Sequence, residues 1–337
     1  MPAAPPLSVL LPVRDGGPFL EEALRSLEAQ TFTDFQVLAV DDGSVDGTGD
    51  ILREAAGRDG RLRILTQEPK GIVAALELAR SMARGPYLAR MDADDVALPD
   101  RFRRQLELMA TDRRILACGT GVTYFPRERV RDGALRYQSW INGLVTHEEM
   151  ERDLFVECPL PHPTLVLRAD AVEVAGGYRD LGWPEDYDLL FRLWEGGGRL
   201  GKVPETLLRW REGEGRLSRT HGAYSEESFR RCKVHFLLRS HLWGGRGLVV
   251  WGAGPVGKAF ARELLRQGGT LEAFVDLDPR KVGQTVHGAS VIPPEEVNRF
   301  RGSFCIAAVG QEGARQEIRE ALAGAGWEEF RDFVAVA

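Results

Sequence analysis

Three aspartates stand close together after a short apolar run. Residues 87–95 read Tyr-Leu-Ala-Arg-Met-Asp-Ala-Asp-Asp, so the apolar residues are followed at once by Asp92, Asp94 and Asp95. Two carboxylates separated by one small residue can present oxygens to one hard divalent cation, which keeps its other positions for water and a substrate's phosphates. The pattern is compatible with a diphosphate site with Mg²⁺ or Mn²⁺ at Asp92 and Asp94. The alternative is a solvated acidic turn before the next helix.

A second pair of acids opens another predicted helix. Glu185 and Asp186 follow Pro184, which is well placed at a first helical position, and apolar residues at helical spacing continue to Trp194. In the first turn the helix dipole favours a carboxylate in its charged, proton-accepting form. From position alone, a proton acceptor and an ordinary dipole partner both remain open.

Alternating strands and helices must position these acids. Apolar strand-like runs cover residues 7–13, 35–40 and 62–65, and amphipathic helical patterns follow each of them. The run that begins at Tyr87 is the fourth strand. Such regular alternation predicts an α/β fold with a mostly parallel sheet and right-handed crossovers. Ligands of such sheets collect beyond the carboxyl ends of the strands, which is where the clustered aspartates stand.

Composition excludes several classes of protein. A net charge of −6 gives no positive field for nucleic acid. Four widely spaced cysteines form no Cys-x-x-Cys pair, which argues against a zinc site or a disulfide framework and fits a reducing compartment. No run approaches the roughly 18 apolar residues that a membrane span needs. We expect a cytoplasmic protein without a transmembrane segment, and peripheral membrane contact is compatible with this composition.

The order of several short motifs is more specific than any one of them. In sequence these are Pro12-Val13-Arg14, Gln30-Thr31-Phe32, Val40-Asp41-Asp42-Gly43-Ser44, Gly85-Pro86-Tyr87 and Met91-Asp92-Ala93-Asp94-Asp95. Together they resemble a family 2 glycosyltransferase of the GT-A fold over about residues 7–215. The resemblance implies an inverting enzyme of hexosyltransferase type. It would move a sugar from a nucleoside-diphosphate sugar, UDP-linked by expectation, to a hydroxyl of a glycan, a lipid-linked or a small-molecule acceptor, as in polysaccharide biosynthesis.

The resemblance also implies roles for individual residues. The nucleotide contacts would be Pro12, Val13, Arg14, Asp41 and Asp42, with Lys70 in the loop that often contributes to base recognition. Asp92 would contact the diphosphate, and Asp92 and Asp94 would bind the metal. Asp186 would be the catalytic base, and His162 and Glu185 would lie on the acceptor side. One departure is Glu77, which stands where many members have an Asn. The Gln-x-x-Arg-Trp signature of processive synthases is absent before Arg209-Trp210, which favours single transfer.

A second fingerprint lies near the C-terminus. An apolar run at residues 248–251 enters Gly252-x-Gly254-x-x-Gly257, and Asp276 ends the next apolar run nineteen residues after Gly257. This is the pattern of a dinucleotide site, in which glycines let phosphate approach a helix N-terminus and the acid reaches a ribose hydroxyl. It predicts a small Rossmann-like module with a candidate nucleotide or dinucleotide ligand.

These patterns predict three segments, and they leave two alternative functions open. We expect a GT-A domain at residues 1–215, a helical linker at 216–244 and the Rossmann-like domain at 245–337. The alternatives are a nucleotide-sugar-binding or regulatory protein without turnover, and a nicotinamide-dependent oxidoreductase that uses the C-terminal module. A homo-oligomer is compatible with the sequence, which specifies neither the sugar nor the acceptor.

Overall fold

The chain divides into two compact units, each assembled from separate stretches. The computed structural model describes residues 4–213 and 215–337, so Glu214, the penultimate residue of the first predicted domain, lies outside the described residues. The first unit contains Met1–Met150, Pro159–Leu181 and Glu185–Thr220, and the second contains Glu151–Cys158, Gly182–Pro184 and His221–Ala337. Two short segments from the middle of the chain therefore belong to the second unit.

Eight strands and nine α-helices occur in the described residues up to Thr220. The strands are β1 (Leu7–Val13), β2 (Phe35–Asp42), β3 (Leu62–Gln67), β4 (Tyr87–Arg90), β5 (Val96–Ala97), β6 (Ile115–Phe125), β7 (Val166–Arg168) and β8 (Arg199–Arg211). The helices are α1 (Leu20–Glu28), α2 (Thr48–Arg58), α3 (Ile72–Met82), α4 (Arg101–Thr111), α5 (Asp132–Gly143), α6 (His147–Arg152), α7 (Ala169–Val174), α8 (Glu185–Glu195) and α9 (Leu217–Thr220). Short 3₁₀ helices cover Arg127–Arg129 and His162–Thr164.

The strands of the first unit form one mixed sheet. Their order is β3-β2-β1-β4-β7-β6-β8-β5. The β3-β2-β1-β4 half is parallel throughout, β6 also pairs with β8 in parallel, and β7 and β5 run antiparallel to their neighbours. The predicted α/β fold with a mostly parallel sheet is confirmed.

The register brings several strand ends to one edge. Val13 of β1 pairs with Asp41 of β2, and Leu10 pairs with Arg90, the last residue of β4. The chain after β4 therefore leaves the sheet beside the ends of β1 and β2. The segments that follow these three strands share one edge, as the sequence predicts.

The core explains why these segments form these elements. β1 is buried on both faces, with Val9 and Leu11 on one face and Ser8 and Leu10 on the other, because helices cover a parallel sheet on both sides. The apolar stripe of α1 packs on the same core through Leu20 and Leu24. The hydrophobic spacing read from the sequence is therefore the packing face of the helix.

The second unit contains a separate sheet. Its elements after residue 220 are a 3₁₀ helix (Gly222–Tyr224), α10 (Glu226–Leu237), β9 (Leu248–Trp251), α11 (Pro255–Arg266), β10 (Leu271–Val275), β11 (Thr285–Val286), β12 (Ala289–Ile292), a 3₁₀ helix (Pro294–Phe300), β13 (Phe304–Ala307), α12 (Ala314–Gly324) and β14 (Phe333–Ala335). The order is β11-β12-β10-β9-β13-β14, and every pair except β11–β12 is parallel. The chain thus builds outwards from β9, first to one side and then to the other.

Within the described residues, we find no helix that is both long enough and apolar enough to cross a bilayer.

Candidate functional site

The three aspartates after β4 form one cluster. Carboxylate oxygens of Asp92, Asp94 and Asp95 all lie within 4.8 Å of one another. Asp95 is buried, whereas Asp92 and Asp94 are half-buried. The three carboxylates therefore lie close enough together to share one cation, as their spacing in the sequence predicts.

Burial and mutual repulsion disfavour full ionisation of this cluster. Desolvation, followed by the charge of Asp92, raises the pKa of Asp94 to about 6. The same two causes, with Asp94 added, raise the pKa of the buried Asp95 carboxyl well above its usual range. One oxygen of Asp95, Oδ2, is buried and has no hydrogen-bond partner among the described residues. Crowded carboxylates with an unsatisfied oxygen fit a divalent cation, whose charge would offset their repulsion.

Strand β8 holds the far side of the cluster. The backbone amide of Arg211 donates to Asp95 Oδ1 at 2.7 Å, and the side-chain Nε of Arg211 donates to the Asp94 carbonyl at 2.6 Å. The Arg216 guanidinium lies 4.4 Å from the ring centre of Trp210, and Trp210 stacks on Tyr124. Arg216 also acts electrostatically on Asp94 and Asp95. The segment after β8 thus adds positive charge near the acids, which the sequence analysis did not identify.

The loops after β1 and β2 are bonded to each other. Asp15 N donates to Ser44 Oγ at 3.0 Å, and Val45 N donates to Asp15 Oδ1 at 2.9 Å. Asp41 is half-buried and accepts from Ser44 N at 2.9 Å. Pro12 and Val13 end β1 at this edge, and Arg14 follows them with an exposed side chain. The structure therefore brings together the residues predicted to contact a nucleotide.

Asp42 has a structural partner for each oxygen. Oδ1 accepts from Gln67 Nε2 at 2.6 Å and from the backbone amide of Lys70 at 2.7 Å, and Oδ2 accepts from Gly71 N at 2.9 Å. The residue is buried, while the Lys70 side chain is exposed. Asp42 thus shapes the loop that carries Lys70.

His162 and Glu185 come together although they are distant in sequence. His162 Nδ1 lies 3.5 Å from Glu185 Oε1, and His162 Nε2 lies 3.3 Å from the hydroxyl of Tyr178. Burial, then the nearby charge of Arg90, holds the pKa of His162 well below its usual range, so the ring is neutral at pH 7. The sequence pointed to His162 and Glu185 separately, and Tyr178 joins them only in the tertiary structure.

The acids at the start of α8 have different surroundings. Asp186 is half-buried, and its Oδ1 accepts from the amide of Tyr187 at 2.7 Å. Asp188 is buried and accepts from Arg192 Nε at 2.8 Å, and Arg192 also donates to the Ala175 carbonyl at 2.5 Å. Asp188 therefore anchors α8, whereas Asp186 keeps partial exposure.

Arg90 is a second residue that the sequence analysis did not select. It is 1% exposed, and its NH2 group donates to Asp92 Oδ1 at 2.5 Å. A charged residue inside an otherwise apolar strand was the available signal, because such a residue is buried only with a partner.

The second unit has a cavity at the ends of its parallel strands. Its volume is about 860 Å³, and its lining includes Gly252, Gly254, Asp276, Lys281 and Glu317. Asp276 Oδ2 accepts from Ala253 N at 2.8 Å and from Lys281 Nζ at 2.9 Å.

The glycines of this second fingerprint differ in their surroundings. A Cβ at Gly257 would lie 1.7 Å from the Gly252 carbonyl oxygen, whereas a Cβ at Gly254 would meet nothing within 4 Å. Gly257 thus permits close packing of helix and strand, and Gly254 borders open space at the cavity.

Comparisons with known proteins find that this chain is similar to glycosyltransferases. Residues 8–174 match the family model "Glycosyl transferase family 2". The chain is 28% identical over 230 residues to the putative glycosyltransferase EpsE of Bacillus subtilis, covering 67% of this chain and 80% of that protein. It is 27% identical over 240 residues to the amylovoran biosynthesis glycosyltransferase AmsE of Erwinia amylovora, covering 66% and 86%.

Among solved structures, S. aureus TarS residues 1–349 in complex with UDP-GlcNAc shares the fold. The TM-score is 0.54 at 17% identity, covering 70% of this chain and 68% of that one. The acidic cluster and the loops beside it lie inside the segment that matches the family model. Residues 8–174, just under half of this chain, are therefore similar to the glycosyltransferase domains of family 2.

Proposed function

We propose that the first unit transfers a single hexosyl group, with inversion, from a UDP-linked sugar to a hydroxyl of a glycan, lipid-linked or small-molecule acceptor. The observation that carries this proposal is the group of three carboxylates within 4.8 Å at the carboxyl end of β4. TarS, which has the same fold, was solved with UDP-GlcNAc and supports a nucleotide-sugar donor. The missing Gln-x-x-Arg-Trp signature supports single transfer.

The nucleotide would bind along the bonded loops after β1 and β2. Pro12, Val13, Arg14 and Asp41 border this edge and would contact the base and ribose. Asp42 would act through the loop that it shapes, presenting Lys70 to the base. Both Asp42 oxygens already accept hydrogen bonds from the protein, so we assign the contact with the base to Lys70 and not to Asp42 itself.

Asp92 and Asp94 would hold Mg²⁺ or Mn²⁺ beside the diphosphate. When bound, the cation neutralises charge that develops on the departing nucleoside diphosphate. Arg216, which acts on Asp94 and Asp95, would add positive charge on the same side. The chain's own residues thus orient the diphosphate and limit its reorganisation during transfer.

Asp186 would act as the base. Inversion is one displacement at the anomeric carbon: the acceptor oxygen bonds to that carbon, the bond to the diphosphate breaks, and the hydroxyl proton passes to a carboxylate. Asp186 has the partial exposure that such a group needs, at the start of α8, where the helix dipole stabilises its charged form. His162 and Glu185, buried and in contact, would form the wall beside the acceptor.

The closing experiment compares two isosteric variants of one helix. Asp186→Asn should lose about 10²–10⁴-fold in kcat while donor binding survives, because it removes only the proton acceptor. Asp188→Asn is the matched control: it breaks the ion pair with Arg192 and should lower stability without a selective loss of kcat. Nucleotide sugars are screened for UDP release with and without Mn²⁺, and NMR assigns the product anomer. A retained anomer, or near-normal kcat in Asp186→Asn, would remove Asp186 from this mechanism.

For the second unit, we infer a Rossmann-like nucleotide-binding domain at residues 245–337, joined by a helical linker at 216–244. The parallel strands in chain order lie as 3-2-1-4-5, the order typical of dinucleotide-binding sheets, and the cavity lies at the carboxyl ends of the strands. Calorimetry of the full chain with NADH, UDP and UDP-GlcNAc tests the ligand class. Hydride transfer without any sugar nucleotide would instead support the oxidoreductase alternative.

A further inference from the structure

Arg90 is a charged residue in a position where charge is costly. It ends β4, is 1% exposed, and its backbone amide donates to the Leu165 carbonyl at 2.8 Å. Removing a guanidinium from water costs several kcal/mol unless ion pairs and hydrogen bonds replace its hydration. A leucine of similar size would pack in β4 without that cost, so the charge calls for a functional explanation.

The contacts of Arg90 fix it to the acidic turn. Its NH2 group donates to Asp92 Oδ1 at 2.5 Å, and its NH1 group donates to the Met91 carbonyl. The Arg90 carbonyl accepts from Arg101 NH2 at 2.7 Å, which also holds the backbone at this position. Arg90 Nε is buried and has no hydrogen-bond partner among the described residues. The guanidinium is therefore held by contacts with the acidic turn and is not fully satisfied by them.

The same guanidinium also acts on the acceptor side. The negative charge of Asp92 acts on Arg90, as does that of Glu185, whereas burial raises the pKa of Tyr178 and keeps its phenol neutral. Tyr178 and Glu185 both contact His162, at 3.3 and 3.5 Å. One buried cation thus interacts with the diphosphate-side carboxylate and with the cluster beside the proposed base. In a low-dielectric interior such interactions are screened weakly.

We propose that Arg90 is a positioning residue for sugar transfer, which binds Asp92 through its guanidinium and the His162 segment through its backbone, by way of Leu165, and so aligns the diphosphate side with the acceptor side. This inference rests on the proposed function of the first unit. An in-line displacement depends on alignment between the attacking oxygen and the leaving group, and small misplacements cost large factors in rate. Binding of either substrate alone depends less on that alignment.

Arg90→Lys and Arg90→Gln test the positioning role. Lysine keeps the charge but not the forked donor geometry that a guanidinium offers. We expect kcat to fall about 10²-fold in Arg90→Lys, and further in Arg90→Gln, with the acceptor KM changed less than threefold. The Mn²⁺ affinity of the UDP complex, measured by electron paramagnetic resonance, should fall several-fold because Asp92 loses its orientation. Arg168→Lys is the control: it alters another arginine of this sheet, which donates to the carbonyls of Ile115 and Met109 and not to Asp92, and it should lower stability and leave Mn²⁺ affinity unchanged.

A double-mutant cycle tests the coupling without changing Arg90. If Arg90 links the two sides, the kcat losses of Asp92→Asn and Glu185→Gln should be non-additive by at least fivefold. Additive losses, or unchanged Mn²⁺ affinity in a folded Arg90→Lys protein, would overturn the proposal. Absence of UDP release from every nucleotide sugar by the wild-type protein would instead refute the proposed function. The Mn²⁺ and UDP binding measurements do not depend on turnover, so the two failures are distinguishable.

Discussion

The carboxylate of Glu77 accepts a hydrogen bond from the backbone amide of Tyr178 at 2.6 Å. Glu77 lies on α3 and Tyr178 lies in the glycine-containing loop before α8, 101 residues later. A Cβ at Gly177 would meet Glu77 Oε1 at 2.6 Å, so the glycine is what allows the carboxylate this close. The residue that departs from the family pattern thus anchors the loop that presents Tyr178 to His162.

Removing this anchor should loosen the loop. Glu77→Ala leaves the amide of a buried residue without its acceptor, and we expect a loss of about 1–3 kcal/mol in the free energy of unfolding. Glu77→Gln keeps an acceptor oxygen and should lose less. Glu173→Gln is the control, because Glu173 pairs with the same Arg80 but its side chain is 72% exposed, and exposed pairs contribute little. Urea unfolding of the three variants and of wild type measures these free energies. Equal stabilities of Glu77→Ala and wild type would contradict the anchoring role.

The acidic cluster should make stability depend on pH in the absence of metal. Well below the ordinary aspartate pKa of 3.8, Asp94 is protonated in the folded and unfolded states alike. Between pH 4 and 6 the unfolded state ionises while the folded state keeps its proton, because burial and Asp92 raise the pKa of Asp94 to about 6. With EDTA present, wild type should therefore lose on the order of 2–3 kcal/mol relative to Asp94→Asn as pH rises through this range.

Added Mn²⁺ should reverse that trend. Above pH 6 the ionised Asp94 can ligate the cation, so Mn²⁺ should stabilise wild type increasingly and Asp94→Asn much less. Thermal unfolding at pH 4.5 and 7.5, with EDTA or Mn²⁺, measures both effects. Identical Mn²⁺ stabilisation of the two proteins at pH 7.5 would exclude Asp94 as a ligand.

Two glycines of the second unit should respond differently to alanine. Gly257→Ala forces a methyl group against the Gly252 carbonyl oxygen at 1.7 Å and should cost at least about 2 kcal/mol. Gly254→Ala meets open space, so we expect a change within about 1 kcal/mol. Gly254→Val should block any nucleotide in the cavity, because its side chain stands where backbone must approach phosphate. Unfolding curves and nucleotide calorimetry separate the two roles; comparable destabilisation by both alanines would contradict this assignment.

Asp153 should hold its segment in the second unit. It is buried and pairs with Arg319 at 2.8 Å and Arg315 at 3.3 Å, both on α12. Asp153→Ala leaves two arginines without this partner, although Arg319 keeps Glu329, so we expect a loss of about 2–4 kcal/mol.

The exposed pair between Glu328 and Arg331 supplies the control. Glu328→Ala should cost less than about 1 kcal/mol. Chemical unfolding of both variants measures the difference. If Asp153→Ala were no less stable than Glu328→Ala, residues 151–158 would not depend on these ion pairs for their place in the second unit.

Local patterns were enough to predict much of the first sheet. The apolar run at 7–13 coincides with β1, because consecutive buried residues specify a strand without reference to partners. Elsewhere the strand ends differ from the prediction: β2 continues to Asp42, two residues beyond the apolar run at 35–40, since its pairing with β3 extends the ladder. Strand ends depend on the partner strand, which a local pattern does not contain.

The sequence by itself determined which carboxylates stand together at Asp92, Asp94 and Asp95, because residues so close in the chain after a strand end have little freedom to separate. Only the tertiary structure decided that Asp42 supports a loop, that His162 meets Glu185, and that Arg90 bonds Asp92 from within the core. It also decided that residues 151–158 and 182–184 pack with the second unit. The physical reason is that burial and partner choice arise from segments brought together by folding, so the cost and the use of a buried charge follow from its neighbours in space.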